Sequence, residues 1–266
     1  MATLLLTACG PQLGDLEKGE TGRVVRAFNG DTLELDSGLR IFLAEIDAPA
    51  GEEPYAASAQ AELEALALHR PVQLAYGGTK RWVPRPRPGE PQAEAPSETA
   101  IAHVFVQSEG GRWFWLQHEL VTRGAAFVRP RQDNHARTEE LLAIEKHARE
   151  QEAGLWTERA YRPLTARAAA VQALAFNDNC LRGRAPYRIV EGRVIAADIF
   201  ERRAALKLEG ETPFEIVVFG NSFANWGGPA LNTLNGARLR VRGPLGVYRD
   251  TPQLCLDQSS QLEVLR

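Results

Sequence analysis

The sequence predicts a mainly β protein with helices, organised as two small barrels in series, and three observations carry that prediction. Segments 22–28, 31–36 and 39–46 are short, rich in Val, Leu, Ile, Phe and Thr, and separated by Asn29-Gly30 and Ser37-Gly38, the punctuation of a strand meander. At 55–69 the pattern changes to Ala, Glu and Leu, with Leu63, Leu66 and Ala67 at helical spacing. From 187 to the end, short apolar runs alternate again with turn residues, which predicts a second small barrel. With 266 residues, 44% of them hydrophobic, the chain is long enough to bury a core in each.

Taken in order, the opening meander leads into the helix at 55–69, which Pro71 ends. Residues 71–76 and 100–107 read as further strands, and the proline-rich stretch 79–98 between them, which shows no period, reads as a long exposed loop or insertion. Segments 116–123 and 139–151 are amphipathic and helical, and the second ends near Gly154 with Trp156 just beyond. The domains are therefore placed at 20–158 and 187–266, with a tether at 1–19 and a connector at 159–186 that is helical through its alanine-rich part. Strands are expected at 187–197, 203–209, 213–219, 237–243, 253–257 and 261–265, and a loop at 220–236 carrying Phe223 and Trp226.

The 31 Lys and Arg against 34 Asp and Glu give a net charge of -3, so no global field draws the protein to polyanions and any nucleic-acid binding must be local. The five histidines show no metal-ligand spacing, the cysteines form no C-x-x-C motif, and no Gly-rich phosphate loop is present. Enzyme classes built on those devices have no support.

Leu6-Thr7-Ala8-Cys9 resembles the lipobox of bacterial lipoproteins, in which the cysteine receives lipid. That resemblance implies a membrane anchor on Cys9 and a place on the periplasmic side of a bacterial envelope. The apolar run before it is shorter than the 7–15 residues of a signal h-region, so an initiation site upstream of Met1 is expected. The other reading is an apolar N-terminus with an incidental cysteine. Cys180 and Cys255 then form an even pair, readable as one disulfide in an oxidising compartment or as two buried thiols.

Three stretches of the first domain, over about residues 20–158, resemble the thermonuclease, or staphylococcal nuclease-like, family. They are Gly22 through Asn29-Gly30-Asp31-Thr32, matching its opening strand and acidic turn; Leu43-Ala44-Glu45-Ile46-Asp47-Ala48-Pro49, matching its L-x-G-I-D-A-P signature; and Leu120-Val121-Thr122-Arg123-Gly124 with the helix and Gly154-Leu155-Trp156 that follow. The resemblance implies an OB-type five-stranded barrel with packed helices. It also implies hydrolysis of DNA or RNA with a calcium ion, held by Asp31, Asp47 and the carbonyl of Ala48. Calcium takes six to eight oxygens, so carboxylates converging from two loops suit it. Asn29 stands at an acidic position of the family's turn.

The remaining catalytic positions depart from the family. Phe42 replaces the arginine that grips the phosphate, Ala50 the glutamate that orients the attacking water, and Thr99 a second arginine. Phosphoryl transfer develops charge that such groups stabilise, and removing one typically costs about 10³–10⁵ in rate. Candidate substitutes are Arg40, on the same strand face as Phe42 but displaced by about 7 Å, and Glu52 and Glu53 just beyond Ala50.

In the second region Arg238, Arg240 and Arg242 alternate with Leu239 and Val241, which reads either as a basic ladder for nucleic acid, with Phe223, Trp226 and Tyr248 as stacking partners, or as a solvated strand face. The end of the chain resembles the OB barrels appended to some thermonuclease-family proteins. The expectation is a catalytically degenerate nuclease fold serving as an envelope binding or scaffold module, with nucleic acid or another envelope protein as partner. The alternatives are a calcium-dependent endonuclease with a rebuilt site, and a structural protein without a ligand.

Overall fold

The structure is a computed structural model, and it describes residues 10–82, 99–131, 133–181 and 185–265. Cys9 and most of the proline-rich stretch lie outside these residues. The chain divides into two compact units, Met1–Glu158 and Arg159–Arg266.

The first unit opens with β1 (Glu17–Ala27), β2 (Thr32–Leu35) and β3 (Arg40–Leu43), followed by β4 (Ile46–Asp47), α1 (Ala56–Ala67), β5 (Pro71–Tyr76), β6 (Arg81–Trp82) and β7 (Thr99–Gln107). β8 (Trp113–Trp115), α2 (Leu116–Thr122), β9 (Phe127–Val128) and α3 (Thr138–Glu150) complete it. The first strand begins before residue 20, and Leu16 is already buried, so part of the expected tether belongs to the barrel. Five strands close in the order β1-β2-β3-β7-β5 and back to β1, with β3 and β7 parallel. Two-residue alternation explains which face is which: Leu33, Leu35, Ile41 and Leu43 point inward and are buried, while Glu34, Arg40 and Phe42 lie on the outer face. α1 contributes Leu63, Leu66 and Ala67, the positions its spacing predicts, and Ala59 to the same core.

Two buried acids join α3 to this barrel. Glu45, 2% exposed and held at φ 66°, accepts from the backbone N–H of Arg137 at 3.0 Å and the Thr138 hydroxyl at 2.6 Å, and lies 3.1 Å from His103 Nε2. Glu145 accepts from the Val128 N–H at 2.7 Å and from Arg149 at 2.7 Å.

The second unit comprises β10 (Leu164–Thr165), α4 (Ala166–Phe176), β11 (Tyr187–Phe200), β12 (Arg203–Leu208), β13 (Glu215–Phe219), α5 (Gly220–Ala224), β14 (Arg238–Tyr248), β15 (Thr251–Leu256) and β16 (Leu262–Leu265). Its strands close as β11-β12-β13-β15-β14 and back to β11, with β13 and β15 parallel, the connectivity of the first barrel repeated. Most of the expected connector is part of this unit, because β10 pairs with β11 and Ala166, Ala169, Ala170 and Ala173 of α4 are buried in its core. The loop 220–236 holds α5, and Phe223 and Trp226, each half-buried, pack against that core.

Cys180 and Cys255 form a disulfide, with Cα atoms 5.9 Å apart, that ties the segment after α4 to β15. Under it Ala205 and Val217 are buried, with Phe219 packed alongside, in a small apolar cluster separate from the unit's main core. Gly246 is required here: a Cβ at that position would lie 2.1 Å from the Cys180 backbone nitrogen.

Candidate functional site

The site grows from the turn between β1 and β2. Phe28 N–H donates to the Thr32 carbonyl at 2.8 Å, and the Asn29 side chain accepts from Asp31 N–H at 3.1 Å, a local turn that points Asp31 back toward β4. Gly30 admits no side chain, since a Cβ would lie 2.7 Å from both Ala48 Cβ and Ala59 Cβ. Asp31 is therefore pressed against the Asp47-Ala48 segment. Its Oδ1 accepts from the Thr32 hydroxyl at 2.7 Å and its Oδ2 from the Ala48 N–H at 3.1 Å.

Asp31 is 7% exposed, and burial, together with the charge of Asp47 beside it, pushes its carboxyl up to about 7. Thr32 and the Ala48 N–H act in the other direction without cancelling those effects.

Asp47 is held by a group that sequence reasoning missed. β4 pairs with β9, placing Asp47 opposite Phe127, and the next residue but one, Arg129, forms an ion pair with the Asp47 carboxylate. Arg129 N–H donates to the Glu45 carbonyl at 2.8 Å, and Glu145 holds the N–H of the preceding Val128, so the backbone that carries this arginine is pinned at both residues. β9 is two residues long, too short for a periodic signal; the only trace in the sequence is an arginine shortly after the Gly124-Ala125-Ala126 run.

The expected substitutes have surroundings of their own. Arg40 lies with its guanidinium carbon 4.2 Å from the centre of the Phe28 ring. Glu53 accepts from the Ala50 N–H at 2.9 Å, closing its own turn, and Glu52 is exposed. Phe42 is half-buried on the outer face, and Thr99, 2% exposed, stands beside Arg40 in the β3–β7 ladder. Arg81, at the start of the proline-rich stretch, is held by Glu20 and the Tyr76 hydroxyl.

Asp31, Asp47 and the Ala48 carbonyl are the oxygen donors available to a calcium ion, which takes six to eight. Both Asp31 oxygens already accept hydrogen bonds, and one Asp47 oxygen is engaged by a guanidinium. Among the described residues no group of three or more His, Cys, Asp or Glu is placed to hold a metal ion. Asp31, Asp47 and the Ala48 carbonyl would hold a calcium ion only with waters completing its shell, and no step below is routed through one.

In the second unit the three alternating arginines have different fates. Arg238 is exposed, Arg240 is ion-paired with Glu191 at 2.7 Å and Glu263 at 3.0 Å, and Arg242 is 3% exposed. They do not present a three-cation ladder to solvent. Tyr248 is exposed, with the Arg249 guanidinium over its ring.

A closed five-strand barrel with the β3–β7 parallel pair, packed helices and two aspartates meeting from adjacent turns defines the nuclease-like class of OB barrel. Residues 40–158 match the family described as Staphylococcal nuclease homologue. No curated protein is a significant match to the chain.

Proposed function

We propose that the chain is a non-cleaving nuclease-fold protein, an envelope lipoprotein whose first domain binds nucleic acid without hydrolysing it. The observation that supports this most is the Asp47–Arg129 ion pair, which commits one of the two site carboxylates to an internal cation. Hydrolysis of a phosphodiester needs an oriented water and cations aimed at the developing phosphoryl charge. Phe42 and Thr99 supply no such cation and Ala50 no general base, while Arg40 stacks on Phe28 and Glu53 closes its own turn.

Cleavage of single-stranded DNA and RNA, with calcium added or chelated, tests the reading directly. The wild-type chain should cut no faster than an Asp31→Ala/Asp47→Ala variant. Calcium-dependent cutting that disappears in that variant would mean a rebuilt endonuclease site, and the proposal would fall.

The lipobox resemblance at Cys9 supports the envelope assignment, and the Cys180–Cys255 disulfide suits an oxidising compartment. In a bacterial host, Cys9→Ser should move the protein from the membrane fraction to the soluble exported one. A mutant that fractionates like the wild type removes the anchor from the proposal.

A further inference from the structure

Strand alternation brings two arginines and a phenylalanine together on the outer face of the β1–β2–β3 meander. Arg26 on β1 lies opposite Glu34 on β2, and Glu34 lies opposite Arg40 on β3, so the carboxylate stands between the two cations in the ladder. Neither arginine pairs with it. Both guanidiniums turn instead onto the Phe28 ring, with their carbons 4.4 and 4.2 Å from its centre. Among the described residues neither forms an ion pair, and Arg40 Nε is shielded from solvent with no acceptor. Elsewhere in the unit arginines find acids, as Arg81 does with Glu20 and Arg123 with Glu62.

We infer that Arg26, Phe28 and Arg40 form a binding site for single-stranded nucleic acid, an inference that rests on the binding function proposed above and gives it a location. A guanidinium stacked on an aromatic ring is a flat surface for a base and directs its N–H donors outward in the plane, where phosphate oxygens meet them. Phe28 lies at the edge of the turn that carries Asp31, so a strand held here passes beside the two carboxylates. Single strands are favoured over duplex because stacking needs an accessible base face, and a chain of net charge -3 has no broad field for a duplex backbone. The site is also on the outer surface of an OB-ordered barrel, including the strands such barrels use for single strands.

The test is fluorescence anisotropy of a labelled oligothymidylate of about 15 nucleotides, within the footprint of one such barrel, titrated with the full-length chain in a chelating buffer. Arg26→Ala/Arg40→Ala should weaken binding by about tenfold or more and reduce the slope of log affinity against log salt by about 1.4, two single-strand phosphate contacts. Arg26→Lys/Arg40→Lys, which keeps the charge and loses the planar fork, should fall between this variant and the wild type, as should Phe28→Leu. Arg167→Ala, an exposed arginine of the second unit, is the control for non-specific charge.

Wild-type binding that survives all three site variants would overturn the location and leave the nucleic-acid reading standing. No binding by the wild type would overturn both. Competition by inorganic polyphosphate as effective, per phosphate, as by unlabelled oligothymidylate would show a polyanion site without base stacking, and the single-strand assignment would fail.

Discussion

His103→Ala is expected to destabilise the first unit by about 1–3 kcal/mol or more, the cost of leaving the buried Glu45 carboxyl short of a hydrogen-bond partner. Both side chains of the pair are fully buried, with Nε2 of His103 3.1 Å from the Glu45 carboxylate, and the truncation also opens a space against Trp115. Burial alone would raise the Glu45 carboxyl, but His103, the Thr138 hydroxyl and the Arg137 N–H together hold it below its ordinary value of 4.5. The sign of the pH effect follows. A carboxyl depressed in the folded state contributes stability that is complete above 4.5 and is lost as pH falls through the lower folded value. Glu45→Gln should therefore flatten the acid side of the stability curve, at a cost of about 1–3 kcal/mol at neutral pH. Chemical denaturation followed by tryptophan fluorescence measures both. A loss below about 1 kcal/mol for His103→Ala would mean that Thr138 and the α3 N-terminus hold Glu45 without the imidazole.

Reduction of the Cys180–Cys255 disulfide, or its removal by Cys180→Ser/Cys255→Ser, should cost the second unit about 2–4 kcal/mol. The bridge spans 75 residues, for which the chain-entropy view gives about 4.5 kcal/mol, just above that range. It also holds the segment after α4 over Ala205 and Val217, so its loss exposes apolar surface as well as lengthening the free chain. In calorimetry the transition of the second unit should move down on reduction while that of the first, which contains neither cysteine, stays in place. An unmoved second transition would show that packing alone secures the segment.

Much of the architecture was legible because strand and helix periods are local. The meander, the helix at Leu63, Leu66 and Ala67, and the strand at 71–76 all form where alternation and spacing place them. The misses share a different cause. Arg238, Arg240 and Arg242 alternate correctly, yet alternation says nothing about Glu191 and Glu263 arriving on neighbouring strands to neutralise Arg240, or about the burial of Arg242. Phe223 and Trp226 fall in a loop whose composition looks exposed, and the barrel draws them against its core.

The sequence by itself determined the identity of each group the chemistry has or lacks: two aspartates at 31 and 47, and Phe42, Ala50 and Thr99 where a nuclease needs two arginines and a glutamate. It also determined where chain direction changes, because Asn29-Gly30 and Pro71 act within a few residues of themselves. Only the tertiary structure decided which charges meet. Asp47 and Arg129 are 82 residues apart, Glu45 and His103 are 58 apart, and Arg40 reaches Phe28 across an intervening strand. Such pairs depend on the register in which distant strands close a barrel, and register is selected by the whole core at once, with no signal in the spacing along the chain.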